Sequence, residues 1–361
     1  MSVISPAQMA NGDTAGALVF GHANARRQVD ELAQPRLYCC KCNCPDAPSV
    51  PEALTALLPV AALGMGLVLL AHPALYPWSD PARGGESLTL FQGVWLTRPF
   101  FLLRSVVYLV LWIALAFAIV RVSRRQDQTG AISLTARNVC LSAIFLVVFA
   151  VTCWLACTDW IMSLEPHWSS TIFGVYNFAG IFLSALAAVC VAAIGLYWQG
   201  PFRNVLTWRH LHDLGTLLFG FSSFWMYIWF CQYLLIWYVN NPEETVYFWR
   251  RQQPGWQAIF LLNVVLNWGV PFVILLFRPA KQMPSVLLAV AALVLVGRWL
   301  DLHLMIMPPI SGASPVPGVW GAGLFLGSTG LAVLLIGRAL GRALLIPVKD
   351  PLLAESLSPE R

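Results

Sequence analysis

The chain has 361 residues, of which 58% are hydrophobic and only 11% charged, and its mean hydropathy is +0.69. Soluble domains carry about 25% charged residues, so this composition excludes a soluble globular enzyme and describes a polytopic membrane protein. The net charge of +5 is modest, and its distribution reads as topology rather than as affinity for nucleic acid.

Residues 1–50 carry no apolar core behind a basic start, so no signal peptide is expected; they read as a cytoplasmic segment. This segment contains YCCKCNC, with Cys39, Cys40, Cys42 and Cys44. CCxCxC matches no standard zinc spacing. The other five cysteines lie in apolar runs, where a thiol packs as a small hydrophobe. Eight continuous apolar stretches follow, each close to the ~20 residues that a membrane helix needs. They are predicted at Leu54–Ala71, Pro99–Val120, Val139–Cys157, Ile172–Tyr197, Leu214–Tyr238, Trp256–Phe277, Ser285–Met305 and Val319–Leu345. The runs are continuous rather than alternating, so the expected fold class is all-α. The last run exceeds the bilayer requirement and is expected to tilt or emerge. Residues 51–348 form one transmembrane domain in this reading, and 349–361 a cytoplasmic tail.

The polar residues are concentrated in a few places. The second span holds Arg104 about one turn inside its end, where a lone charge is costly and a partner is expected; Asp159 and Asp301 are candidates by depth. The third span runs into TDWIMSLEPHWSSTIFGVY, which carries Asp159, Glu165, His167, Trp160 and Trp168. The tryptophans read as interfacial anchors and Glu165 reads equally well as an acid of a solvated loop. Asp159, at the very end of an apolar helix, needs hydration or a partner. In the fifth span Asp213, Thr216, Gly220, Ser223, Tyr227 and Cys231 recur every three or four residues and form one helical stripe, next to His212. Small-residue stripes serve close helix packing more often than conduction; the charged start suggests a water-accessible entrance. Glu243 and Glu244 follow this span. The sixth span holds Asn263 and Asn267 one turn apart, then Pro271, which leaves the Asn267 carbonyl without its helical donor. The seventh ends in GRWLDLHLMIMP, where Arg298 and Asp301 share a face at i,i+3 and can pair.

Basic residues occupy alternate connections: Arg121, Arg124, Arg125 and Arg137, then Arg203 and Arg209, then Arg278 and Lys281, then Arg342 and Lys349. The positive-inside rule places these, and both termini, in the cytoplasm, with 159–170 in the periplasm. Arg250 and Arg251 are the main exception. No histidine pairs stand within the spans to hold a b-type haem, no lysine stands mid-span, and no iron–sulfur motif is evident, so no cofactor bound by this chain alone is expected. A hydrated proton route is nevertheless conceivable from His212 and Asp213, past Ser223, Tyr227 and the Asn263–Asn267 site, to the acids beyond Asp159.

Three long segments carry a family resemblance in order: TDWIMSLEPHWSSTIFGVY, LHDLGTLLFGFSSFWMYIWFCQYLLIWYVNNPEET and GRWLDLHLMIMP, supported by FFLLRSVVYLVLW around Arg104 and PEALTALLPV at the first span. Together they resemble the ActF-type subunit, called quinone-binding subunit 2, of alternative complex III, within the NrfD/PsrC-like membrane subunits of the polysulfide-reductase superfamily. The resemblance covers about 51–348. It implies ten helices in two four-helix bundles with a flanking pair, against the eight read here; the helices expected before PEAL are not found in 1–50. It implies a bacterial cytoplasmic-membrane location and a role in respiratory electron transport from quinol to cytochrome c or another acceptor. The implied partners are membrane lipid, a sister NrfD-like quinol-binding subunit, an iron–sulfur subunit and multihaem cytochrome c subunits. Menaquinone or ubiquinone is the implied quinone, and proton translocation an implied role. Asp159, Glu165, His167, His212, Asp213, Glu243, Glu244, Arg298 and Asp301 are the polar positions in the shared motifs. A secondary transporter and a purely structural membrane anchor are the alternative readings.

Overall fold

Backbone amides have no partner in lipid, so each apolar run must satisfy its own hydrogen bonds as a helix. The computed structural model follows this rule: every regular element among the described residues is helical. The structure describes residues 50–71, 75–79, 90–129, 131–203, 206–311, 315 and 318–340. Residues 1–49, with YCCKCNC, and the 349–361 tail lie outside the described residues. Among the described residues eight helices are long and apolar enough to cross a membrane, and they coincide with the eight expected runs.

The main helices are α1 (Leu58–Ala71), α2 (Arg98–Thr129), α3 (Ile132–Trp160), α4 (Phe173–Gln199), α5 (Trp208–Val239), α6 (Pro242–Arg251), α7 (Trp256–Val264), α8 (Pro284–Ser311) and α9 (Val319–Leu340). The short amphipathic α6 lies between spans. α7 passes through a π turn (Val265–Gly269) into a further helical turn, Val270–Leu275. At ~1.5 Å per residue α2 extends about 48 Å, well past the hydrocarbon core, and its last turns carry the polar sequence VSRRQDQT.

Local chemistry sets the helix ends. Thr207 and His210 form a reciprocal capping box at the start of α5, with the Thr207 amide 3.2 Å from His210 Nδ1. α5 stops at Asn240, whose left-handed φ of 50° suits a short polar side chain. Asn241 caps α6 by accepting from the Glu243 amide, Pro242 follows, Glu243 and Glu244 fill the first turn, and Arg250 and Arg251 the last. This order complements the helix dipole at both ends, which accounts for Arg250 and Arg251 breaking the charge alternation.

The helices divide into two groups. α4, α5, α7 with its continuation, and α8 pack into a four-helix bundle whose core includes Leu183, Leu218, Trp225, Leu275 and Val294, all fully buried. The other group is more open. α2 and α3 form a hairpin on the α4 side, α1 packs against α2, and α9 touches the segment that leads into α1. The buried share is 44% for the spans of α4 and α8 but 11% for that of α1 and none for that of α9.

Candidate functional site

Three buried ionic clusters stand in the half of the molecule nearest Glu165. The first joins α2 to α3. Arg104 forks onto Asp159, Nε to Oδ2 at 3.0 Å and Nη2 to Oδ1 at 2.9 Å. Tyr108 and the Trp95 indole add donors to the same carboxylate at 3.0 and 2.9 Å. The third guanidinium nitrogen donates to the Trp95 carbonyl, and the group lies over the Trp95 ring at 4.0 Å. Of the two acids that depth allowed, Asp159 is therefore the partner of Arg104. It is fully buried with four donors, as a carboxylate at this depth requires.

The second cluster lies inside the four-helix bundle. Arg298 Nη1 is 2.7 Å from Asp301 Oδ2, and Tyr176 and Asn263 donate to Oδ1. Asn267 Nδ2 bonds back to Asn263 Oδ1 at 2.7 Å. The carbonyl of Asn267, deprived of a donor by Pro271, accepts the Ser222 hydroxyl at 2.6 Å. The helix departs from α geometry there as a π turn, and the freed carbonyl is closed by a neighbouring helix. Gly180 on α4 makes room for the pair, since a Cβ there would collide with the Arg298 guanidinium. The pair does not extend to Arg104, which belongs to the first cluster.

The third cluster corrects a reading. Glu165 is not a solvated loop acid: it is 8% exposed and contacts Arg251 at 3.0 Å and Arg250 at 3.3 Å. Arg251 is itself 1% exposed and also donates to the carbonyls of Leu304 and Met305, both at 2.9 Å. The choice of carbonyls has a cause. Pro308 and Pro309 lie inside α8 and lack the N–H groups that residues 304 and 305 would otherwise accept from. Arg251 supplies those two donors. Its guanidinium lies 3.3 Å over the Tyr247 ring, and Trp168 stacks on the other aromatic partner surface with its ring 4.0 Å from that of Tyr247. Trp168 is thus a buried packing residue, not an anchor facing lipid. Burial and the nearby carboxylates Glu165 and Asp301 push the Tyr247 hydroxyl up to about 12, against the opposing pull of Arg251. Sequence reasoning missed Arg250 and Arg251 as site residues; the in-helix prolines were the available signal.

A small cavity of about 10 Å³ lies between the second and third clusters, bounded by Asp301, Arg251, Tyr247, Tyr176 and Gln232; this is room for about one water. A larger pocket of about 730 Å³ opens beside the first and third clusters. Gln232 borders both.

The α5 stripe is a second correction. Asp213, Thr216, Gly220 and Tyr227 face outward, the Asp213 side chain 76% exposed and Tyr227 61% exposed. The face turned into the bundle is the neighbouring one: Leu211, Gly215, Leu218, Ser222, Trp225 and Gln232. Ser223 bonds its own helix at Phe219, and His212 approaches Asp213 only to 3.8 Å. Asn263 and Asn267 are fully buried and bond to Asp301, to Ser222 and to each other; the hydrogen bonds of the described residues do not link them to Asp213, Ser223 or Tyr227. His167 and Glu243 are exposed, and Glu244 is half-buried at the larger pocket. No cluster of three or more metal-ligating side chains occurs among the described residues.

No family model matches the chain, and no curated protein matches it significantly.

Proposed function

We infer that the chain is a multi-pass helical membrane protein, from the length and apolarity of eight helices among its described residues. We propose that it is the ActF-type integral subunit of a bacterial quinol-oxidising respiratory complex of the alternative complex III class. One observation carries this reading. The three sequence segments that bear the resemblance, far apart in the chain, pack into one polar core: Tyr176 of the first bonds Asp301 of the third, and Trp225 of the second lies beside both Tyr176 and Arg298. The likeness therefore rests on residues that interact physically.

Within such a complex the contribution that the geometry supports best is scaffolding. Asp159, Glu165 and Asp301 are each held by an arginine, and Asp159 and Asp301 also accept from neutral donors, a set of fixed contacts that suits a strut between helices. Quinol from the ubiquinone or menaquinone pool would be oxidised at the sister NrfD-like subunit, and electrons would leave through iron–sulfur and multihaem cytochrome c subunits. The transporter alternative draws on the π turn in α7, since broken helices line transporter sites. The one buried residue of that turn, Asn267, is bonded to Ser222 and Asn263, which weighs against a substrate site.

The test is affinity purification of the tagged full chain from its native membrane. Co-purifying c-type haem, read by absorbance, with quinol:acceptor activity is the expected result. A stable haem-free monomer that catalyses uptake into vesicles would overturn the assignment.

A further inference from the structure

The cavity of about 10 Å³ stands between the second and third clusters without belonging to the ionic contacts of either. Polar side chains from four helices border it: Tyr176 of α4, Gln232 of α5, Tyr247 and Arg251 of α6, and Asp301 of α8. Three of these are engaged already. Tyr176 donates to Asp301 Oδ1, and Arg251 donates to Glu165 and to the carbonyls of Tyr247, Leu304 and Met305.

The other two are not. Tyr247 is 7% exposed and Gln232 4%, yet neither the Tyr247 hydroxyl nor Gln232 Oε1 makes a hydrogen bond among the described residues. Both atoms stay open to a sphere the size of water, whereas Gln232 Nε2 is sealed. The hydroxyl is a donor that lacks an acceptor, and Oε1 is an acceptor that lacks a donor. Burying either alone is costly, so native structures rarely leave two at one cavity. A third polar atom has spare capacity: Asp301 Oδ2 accepts from Arg298 alone, whereas Oδ1 accepts twice. The walls also select the charge of an occupant. The Arg251 guanidinium repels a cation and the Asp301 carboxylate repels an anion. What fits is neutral, both accepts and donates, and is no larger than about one water.

We propose that this cavity is the binding site of a single structural water. The water accepts from the Tyr247 hydroxyl and donates to Gln232 Oε1 and to Asp301 Oδ2, three bonds, the usual number for a buried water. The inference rests on the scaffold reading and deepens it. Through the water α6 is tied to α5 and α8, and the second and third clusters become one network running from Glu165 to Asn267.

The first measurement is the ratio of folded to unfolded full chain in mixed detergent at pH 7, where an ordinary tyrosine is protonated. Tyr247→Phe keeps the ring beneath Arg251 and removes only the hydroxyl. With a water bound, the ratio should fall about fivefold, the loss of one hydrogen bond. Removal of a buried, unbonded hydroxyl leaves the ratio unchanged or raises it, and that result would overturn the proposal. The second measurement is a density map of the wild-type chain, with whatever subunits co-purify, at a resolution that shows ordered water. One peak within hydrogen-bond distance of the Tyr247 hydroxyl, Gln232 Oε1 and Asp301 Oδ2 is expected. An empty cavity, or Tyr247 bonded directly to Gln232, would be decisive against it. Should Tyr247→Phe fail to fold, the wild-type map decides alone. The site is built from the side chains of this chain, so an empty cavity leaves the assembly reading standing, and a haem-free preparation leaves the water site standing.

Discussion

The four-helix bundle of α4, α5, α7 and α8 and the open group of α1, α2, α3 and α9 have similar composition but are held together differently. Lipid is as apolar as leucine, so burial of leucine between helices brings no hydrophobic gain of the kind seen in water. The bundle gains instead from close packing and from polar groups that must find partners: Asp301 holds three elements through Tyr176, Asn263 and Arg298, and Ser222 ties α5 to the π turn. In the open group such junctions join α2 to α3, through Arg104 on Asp159, Trp160 on Ser105 and Trp112 on Thr152, while the outermost helix α9 has none of its span buried. The comparison teaches that interior polar contacts, more than apolar content, distinguish a closed helix group from one that leaves its faces to lipid or to partner subunits.

The sharpest way to break this contrast is at Arg251, which serves both an acid and two orphaned carbonyls. Arg251→Leu should cost about 3–5 kcal/mol by leaving Glu165 buried without compensation, and somewhat more because the Leu304 and Met305 carbonyls lose their donors. Unfolding in a mixed-detergent titration measures it; a loss under ~1 kcal/mol would mean that the third cluster is ornamental. Arg298→Leu tests the bundle's own pair. It should lower folded yield in the membrane by an effect of similar sign, roughly 3 kcal/mol or more, and Arg298→Leu/Asp301→Leu should recover part of that loss. Normal yield from the single variant would contradict a structural pair.

A smaller effect separates the two groups by packing alone. Leu218→Ala, in the fully buried part of α5, should cost about 2 kcal/mol, essentially the cavity term, because the transfer term has no counterpart in lipid. Leu326→Ala on α9, where the side chain is 68% exposed, should stay within about 0.5 kcal/mol. Comparable losses at both positions would erase the distinction in the isolated chain. In a native complex, a large loss at Leu326 alone would locate a partner on α9.

The mildest test uses pH. Tyr247 keeps its proton to about pH 12 in the folded chain against 10.0 ordinarily. Below pH 10 both folded and unfolded states are protonated, and the stabilisation is complete. Between pH 10 and 12 only the unfolded state releases the proton, so stability falls as pH rises, by up to about 2–3 kcal/mol. Tyr247→Phe should flatten that part of the alkaline unfolding curve relative to wild type. Parallel curves would show that the hydroxyl titrates normally.

Much of this was legible in the sequence. Number and position of the spans follow from runs of about 20 apolar residues, because the bilayer admits only self-satisfied helices. The Arg298–Asp301 pair was legible because i,i+3 spacing on a helix brings the side chains together wherever the helix goes. The freed carbonyl of Asn267 followed in the same way from Pro271. These are local facts, set by covalent geometry within one helix. Tertiary structure alone decided that Arg104 takes Asp159 rather than Asp301, since equal depth does not say which helices are neighbours. It decided that Glu165 is buried, because Arg251 is 86 residues away in the chain. It also decided which face of α5 turns inward. A polar stripe and an apolar stripe lie side by side on that helix, and lipid rewards neither strongly enough to orient it. The packing of Leu218 and Trp225 into the bundle, and the hydroxyl of Ser222 meeting a carbonyl left open by a proline on another helix, settle the rotation.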